Sequence, residues 1–179
     1  KGKEANCKLM MSIRKGKGPW EEVQVLTFND TLYNFGQPTL SEDGERLYFT
    51  SDMPGGQGKK DIWVVNYVKR GKTWGQPINL GPTINTEGND MYPYAASGDT
   101  LYFASDGHPG MGGLDIFMTI GSGETWTKPV NLKAPINSGA DDFSFIINPN
   151  DRNEGFISSN RKEGGKGQDD IWQWKLKPL

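Results

Sequence analysis

Aspartates recur in a fixed relation to glycine-rich stretches of this chain, and they are the residues best suited to chemistry. In the first copy, Asp52 and Asp61 flank the stretch MPGGQGKK. Glycine-rich loops can bind phosphate through backbone N–H groups, and aspartates can bind calcium. The third interpretation is a structural turn without a ligand. The aspartates of the three copies are Asp52, Asp61, Asp106, Asp115, Asp169 and Asp170.

Phosphate and calcium binding both fit this loop poorly. A phosphate loop leads into a helix and carries Gly-Lys-Ser/Thr, whereas Lys59 and Lys60 precede a strand-like segment with no hydroxyl. Calcium needs about six to eight oxygen ligands, more than two aspartates provide. Asn160 replaces the first aspartate in the third copy. We therefore expect the six aspartates to accept hydrogen bonds from turn N–H groups, and we expect no metal site.

Catalytic chemistry has few candidate residues. His108 is the only histidine and lies in the loop sequence DGHPG, with no partner fixed by the sequence. Cys7 is the only cysteine, and its alternation with Leu9, Met11 and Ile13 predicts a buried strand thiol. The sequence therefore predicts no enzyme, no catalytic residue and no cofactor.

A glycosidase is the alternative that has a specific sequence signal. The segments GKTW at 71 and GETW at 123 resemble the end of the sialidase Asp-box, but its Ser and Asp are missing. Two carboxylates carry out glycoside hydrolysis, and the prominent carboxylates here recur with the repeat, as structural residues do. Glu154 and Glu163 break the repeat but lie in charged, loop-like stretches. A carbohydrate-binding or glycoside-cleaving protein stays the alternative.

A repeat of 54 residues organises these loops. Ser51, Ser105 and Ser159 begin the three copies, and a short aromatic strand precedes each of them. Each unit contains four short strand patterns and no helical periodicity. Four antiparallel strands at this period are typical of a β-propeller blade. The predicted fold class is all-β, a segment of a β-propeller with four-stranded antiparallel blades.

The strand patterns do not complete a ring. They number two, four, four and three along the chain, or about three and a quarter blades, whereas closed propellers have at least four. We expect an incomplete ring. The chain is then a proteolytic fragment, associates with a second copy of itself, or lies beside another chain of the parent protein. The predicted units are a partial blade at 1–28, blades at 29–82 and 83–134, and a partial last blade at 135–179.

Aromatic residues recur at repeat positions and are expected to pack between blades. Trp174 falls outside this pattern, because the other copies have Val65 and Thr119 at its position. Trp174 and His108 are therefore the candidates for contact with a partner. The recurrent residues are Tyr48, Phe49, Trp63, Trp74, Tyr102, Phe103, Phe117, Trp126 and Trp172.

The composition excludes two classes of partner. The formal net charge is −2 and the isoelectric point is about 5.5, so no strong positive field attracts nucleic acid or an anionic membrane. No apolar run is long enough to span a bilayer. The first residues, KGKEANCKLM, are typical of a piece of a longer protein.

Three segments carry a resemblance to a known family. SEDGERLYFTSDMPGGQGKKDIW, LYFASDGHPGMGGLDIF and GFISSNRKEGGKGQDDIW resemble the WD40-like propeller repeats of OmpA-type outer-membrane proteins of Bacteroidetes. One class of that family is the OmpA-like lipoprotein of the type IX secretion system. The resemblance covers essentially the whole chain and is specific for the repeat. The family's peptidoglycan-binding domain has no counterpart here.

The resemblance implies a function and a location. It implies a non-catalytic scaffold or protein-interaction module in a periplasmic, outer-membrane-associated protein, with type IX secretion as the most concrete role. The implied partners are other envelope proteins or other domains and blades of the parent chain. Contact with the membrane is implied only through other parts of the parent.

Overall fold

The computed structural model describes residues 6–123 and 125–176, and this part of the chain is all-β without a helix. The N-terminal sheet pairs β1 (Met10–Met11) with β2 (Gln24–Val25). The first full blade contains β3 (Phe35–Leu40), β4 (Arg46–Ser51), β5 (Asp61–Val68), β6 (Thr73–Trp74) and β7 (Ile78–Asn79). The second contains β8 (Asp90–Ala96), β9 (Thr100–Ser105), β10 (Asp115–Ser122), β11 (Thr125–Trp126) and β12 (Val130–Asn131). The last sheet contains β13 (Asp142–Asn148), β14 (Asp151–Ser159) and β15 (Asp170–Lys175).

The strands within each sheet are antiparallel and follow the chain order. The expected fourth strand of each full blade is split into two short pieces. In the first blade, β6 and β7 both pair with β5. Pro77 lies between the two pieces and has no N–H to donate to the ladder. The second blade repeats this split with β11, β12 and Pro129.

The blades lie side by side in chain order. Strand β8 contacts β3, β4 and β5 of the first blade and β13 of the last sheet. Among the described residues, no strand of the first blade contacts the last sheet. The arrangement is therefore an incomplete propeller, which confirms the predicted fold class. The described part has no helix that is long and apolar enough to cross a membrane.

The first strand of each blade carries a bulge with unusual backbone geometry. Gln37, Tyr92 and Ser144 occupy the same position in β3, β8 and β13, and each has a positive φ of 53° or 54°. Few residues other than glycine adopt this conformation. The register of the pairing shifts at each of these positions. The bulge also joins neighbouring blades, because Tyr92 N donates to Gln37 Oε1 at 3.0 Å.

The core lies between neighbouring sheets. Phe49 and Phe103, from the aromatic strands β4 and β9, are fully buried. Ile62 and Ile116, from β5 and β10, are fully buried as well. Each full blade therefore packs on both of its faces.

Cys7 does not have the buried position that the alternating pattern predicts. Its side chain is exposed, although Leu9 is buried. Cys7 precedes β1, and its backbone pairs with the next blade: Phe35 N donates to Cys7 O at 3.0 Å. The prediction of a buried thiol is wrong because the regular strand begins only at Met10.

Candidate functional site

Each glycine-rich loop wraps around one aspartate carboxylate. In the last sheet, Lys166 N and Gly167 N donate to Asp170 Oδ2 at 2.7 and 3.0 Å. These N–H groups, that of Gly167 first, lower the pKa of Asp170. Asp61 accepts from Gln57 N and Gly58 N, and Asp115 accepts from Met111 N and Gly112 N. A Cβ on Gly56 or Gly110 would overlap this carboxylate.

The first aspartate of the first two loops, Asp52 or Asp106, pairs with an asparagine at the start of the same blade. Asn34 donates to Asp52 through its backbone N–H at 2.7 Å and its side-chain Nδ2 at 2.8 Å. Asn89 and Asp106 make the same pair of hydrogen bonds. In the last sheet the two residue types are exchanged.

The exchanged pair keeps the geometry of the other two. Asp141 N donates to Asn160 Oδ1 at 2.8 Å, and Asn160 Nδ2 donates to Asp141 Oδ2 at 2.8 Å. Asn160, which broke the acidic pattern in the sequence, therefore has a carboxylate opposite it. The sequence signal was an Asn-Asp dipeptide at 89–90 and an Asp-Asp dipeptide at 141–142.

The loops also form the junctions between blades. A Cβ on Gly58 would lie closer than 3.0 Å to the backbone of 86–88 in the second blade. A Cβ on Gly112 would overlap the backbone of 138–140 in the last sheet in the same way. Both positions therefore require glycine, because two main chains meet there.

Two buried aspartates begin the first strands of the second blade and the last sheet. Asp142 forms an ion pair with Arg161, and Arg161 Nη2 also donates to Ile136 O at 2.6 Å. Asp90 has no such arginine. Its Oδ1 is buried without a hydrogen-bond partner among the described residues, and burial raises its pKa.

His108 takes the place of Arg161 in the second blade. Its Nε2 lies 2.8 Å from Ile84 O, the carbonyl equivalent to Ile136 O. Its ring is half-buried and packs against Phe103 and Phe117, with centroids 5.8 and 5.1 Å apart. The first blade has Phe35 where the others have aspartate, so it has no carboxylate at this position.

A buried asparagine holds the third strand of each full blade, and a half-buried asparagine holds Leu9 next to β1 in the same way. Asn85 Oδ1 accepts from Ile62 N at 2.8 Å, and Asn85 Nδ2 donates to Ile62 O at 2.9 Å. Asn137 binds Ile116 in the same way, and Asn29 binds Leu9. Sequence reasoning missed these residues, although the Ile-Asn dipeptide at 84–85 and 136–137 was a visible signal.

The remaining candidates from the sequence lie apart from these networks. Trp174 is half-buried and stacks on Phe145, with ring centroids 5.2 Å apart and planes 7° apart. Asp169 is exposed in the third loop, directly before Asp170. The structure therefore places Asp170, and not Asp169, at the centre of that loop.

Two open clefts lie between neighbouring blades. One, of about 380 Å³, is lined by Tyr48, Trp126 and the Arg46–Asp99 ion pair, whose N and O atoms are 2.7 Å apart. The other, of about 350 Å³, lies against the bulged first strands, and its lining includes Tyr92 but no carboxylate. In the described part of the chain, no group of three or more His, Cys, Asp or Glu side chains could hold a metal ion.

The comparisons with known proteins add no relative to this picture. No protein-family model matches the chain, and no curated protein matches it. The chemistry of the site therefore has to be inferred from its own contacts. Those contacts join loops to strands and blades to blades.

Proposed function

We propose that this chain is a non-catalytic scaffold and protein-interaction module, built as a propeller segment. The observation that supports this most strongly is how the recurrent carboxylates are used. Asp61, Asp115 and Asp170 accept loop N–H groups, and Asp52 and Asp106 accept from asparagines. These hydrogen bonds occupy lone pairs that a general base or a metal ligand would use, so the carboxylates already serve the loop and blade structure.

An exposed apolar surface supports the interaction role. The N-terminal sheet and its connection expose Met10, Ile13, Trp20, Val23 and Val25, each by 47% or more. We call this the N-terminal apolar patch. Met10 lies opposite Val25 across this sheet, and clustered apolar surface often marks a site of protein–protein contact. Trp20 lies under the Arg14 guanidinium, 4.9 Å from ring centroid to Cζ, and such residues are common at interaction hot spots.

The cellular setting of the proposal rests on the sequence resemblance alone. That resemblance supports a periplasmic protein associated with the outer membrane, with a role in type IX secretion as its most concrete form. Its partners are then other envelope proteins or other parts of the parent protein.

Cross-linking tests the interaction role. A photo-crosslinking residue at Val23, within the N-terminal apolar patch, is expected to capture a defined envelope protein in the native bacterium. The same residue at Glu87, an exposed loop position, serves as the matched control. Equal capture from both positions would remove the support for the patch as an interaction site.

A carbohydrate role is the second candidate, because the cleft of about 380 Å³ combines Trp126 and Tyr48 with charged groups. Screens against glycosides and sialosides are expected to give background rates, and calorimetry with oligosaccharides no binding. Turnover that a single carboxylate-to-amide change abolishes would establish the enzyme instead. Millimolar calcium or a chelator is expected to leave the Tm unchanged, since a bound ion would raise it.

A further inference from the structure

The third glycine-rich loop repeats the geometry of the first two but has no blade against it. Gly167 occupies the position of Gly58 and Gly112, because its N–H donates to the same central aspartate of the loop. A Cβ at either earlier glycine would overlap the next blade. A Cβ on Gly167 would meet only its own loop, at 3.7 Å from Asp170 Oδ1. Within this structure, Gly167 therefore has no steric reason to be glycine.

The backbone beside this glycine is also a repeated junction element. Lys60 O accepts from Asp90 N at 2.8 Å, and Leu114 O accepts from Asp142 N at 2.6 Å, each across a blade junction. The residue before the central aspartate thus pairs with the first strand of the next blade. Asp169 has this position in the third loop and lies exposed at the surface.

The apolar part of the junction shows the same difference. Ile62 and Ile116 follow the central aspartates of the first two loops and are 0% exposed, because the next sheet covers them. Ile171 follows Asp170 and is 79% exposed. Phe156 lies on the same face and is 38% exposed, whereas its equivalent Tyr48 is 3% exposed. Covering both side chains with a further sheet would remove their apolar surface from water, which is favourable.

We infer that the face formed by loop 164–170, Ile171 and Phe156 is the docking surface for a further blade of the same repeat class. The matching partner surface is a loop of the type Asn-Ser/Thr-x-Gly/Ala-Asx-Asp that leads into a bulged first strand. Its backbone lies on Gly167, its first strand pairs with Asp169, and its core face covers Ile171.

The occupant follows from continuity with the two internal junctions. Both use the same three elements, a glycine under a main chain, a backbone pair and a buried isoleucine, and all three are present again on the last sheet. A helix or a flexible apolar peptide could cover Ile171 but does not require a glycine at 167. The cleft beside the face is lined by Gly167, Gln168 and Asp169, which suits a polar loop.

This inference deepens the proposed scaffold role by naming the partner of one surface. The experiment extends the full chain. Residues 121–175 are repeated directly after Lys175, because Lys175 has the strand position of Ile120. The extension supplies a fourth strand for the last sheet and then three strands of a further blade. Gly167→Ala is then made in both the original and the extended chain, and Gly112→Ala serves as the positive control in both.

The expected result is a difference between the two chains. Gly167→Ala should leave the Tm of the original chain within about 2 °C, as surface changes do, and should lower that of the extended chain by about 5 °C or more. In hydrogen exchange, the amides of Asp169 and Ile171 should exchange at least about tenfold more slowly in the extended chain.

Three outcomes would overturn the inference. Equal tolerance of Gly167→Ala in both chains would show that no main chain lies on the glycine. A loss of stability already in the original chain would show that Gly167 is required within its own loop and not by a further blade. An added blade whose own amides stay unprotected would show that the face does not accept it. None of these outcomes depends on cross-linking through the N-terminal apolar patch, so the proposed function can fail or hold separately.

Discussion

The Asn34–Asp52 pair shows how one hydrogen-bond pattern fixes the order of two residue types. Asn34 Oδ1 already accepts from Cys7 N at 3.1 Å, so its Nδ2 must face Asp52. The exchanged pair in the last sheet keeps this rule, because Asp141 Oδ1 accepts from Leu114 N at 2.9 Å. Either residue can therefore be the acid, provided that the other is the amide.

The first prediction tests this rule. Asp52→Asn places two amide NH₂ groups opposite each other and should lower the free energy of unfolding by about 1–2 kcal/mol. The double change Asn34→Asp with Asp52→Asn recreates the arrangement of the last sheet and should recover most of this loss. Urea denaturation of the wild type, the single variants Asp52→Asn and Asn34→Asp, and the double variant gives the coupling energy. Glu87→Gln is the control for loss of an exposed charge, and additive effects of the two changes would contradict the rule.

The second prediction concerns pH and Asp90. Burial raises the pKa of Asp90 above its ordinary value of 3.8, so the folded state binds a proton more readily than the unfolded state. The contribution of Asp90 to stability is therefore full below 3.8 and is lost as pH rises through the raised pKa. Wild type should thus gain stability over Asp90→Asn as pH falls from about 7 to 4.5.

Asp43 is the control, because its contribution to stability should change with pH in the opposite direction. The Ser41 hydroxyl and the Glu45 N–H lower the pKa of Asp43, so its contribution is present above the ordinary value and is lost at lower pH. Urea midpoints at several pH values measure both effects. A wild-type advantage over Asp90→Asn that grows with rising pH would refute the assignment.

At the scale of the element, the glycine-rich loop joins two blades through their main chains. The third prediction is that Gly112→Ala lowers the free energy of unfolding by about 1–3 kcal/mol, because the new Cβ overlaps the backbone of 138–140. Gly139→Ala lies in the facing loop and has open space at its Cβ, so it should change stability by less than about 0.5 kcal/mol. Thermal unfolding of both variants provides the comparison. Similar effects of the two changes would contradict a specific main-chain contact at Gly112.

The elements themselves could be predicted because the same pattern occurs three times. LYFT, LYFA and GFIS each mark a second strand, and repetition compensates for the weak signal of any one short strand. The split of the fourth strand was missed, although Pro77 and Pro129 indicate it. Cys7 was misplaced because alternation alone does not reveal where pairing begins.

The site was harder to predict because its contacts join distant positions. Arg161 reaches Asp142 and His108 takes the equivalent place near Asp90, each pair separated by nearly twenty residues. An aspartate beside an arginine or a histidine in two copies, and Phe35 at that position in the first blade, is a pattern across repeats and not within a motif. The glycine-rich loops attract attention in the sequence, but their partners lie in the next blade.

For the whole molecule, the network of junctions predicts where the fold is most stable. The amides of Ile62 and Ile116 are buried and bind Asn85 and Asn137. In the described part of the chain, the N-terminal sheet has two residue pairs, and Val25 is exposed. The fourth prediction is that the Ile62 and Ile116 amides exchange at least about 100-fold more slowly than that of Val25 in native-state hydrogen exchange. Uniform rates would indicate that the sheets open as one unit.

The direction of the glycine contact determines which symmetries an assembly through it can have. Gly58 and Gly112 each contact a surface unlike their own loop. That surface is the loop that leads into the first strand of the next blade. Such a contact is heterologous, since the two sides present unlike patches. Copies that join through it have no twofold axis across the contact itself, and a twofold dimer requires each copy to supply both surfaces so that two contacts close the ring. Such copies are limited to a cyclic ring when the rotation closes, and to a helical filament when it does not.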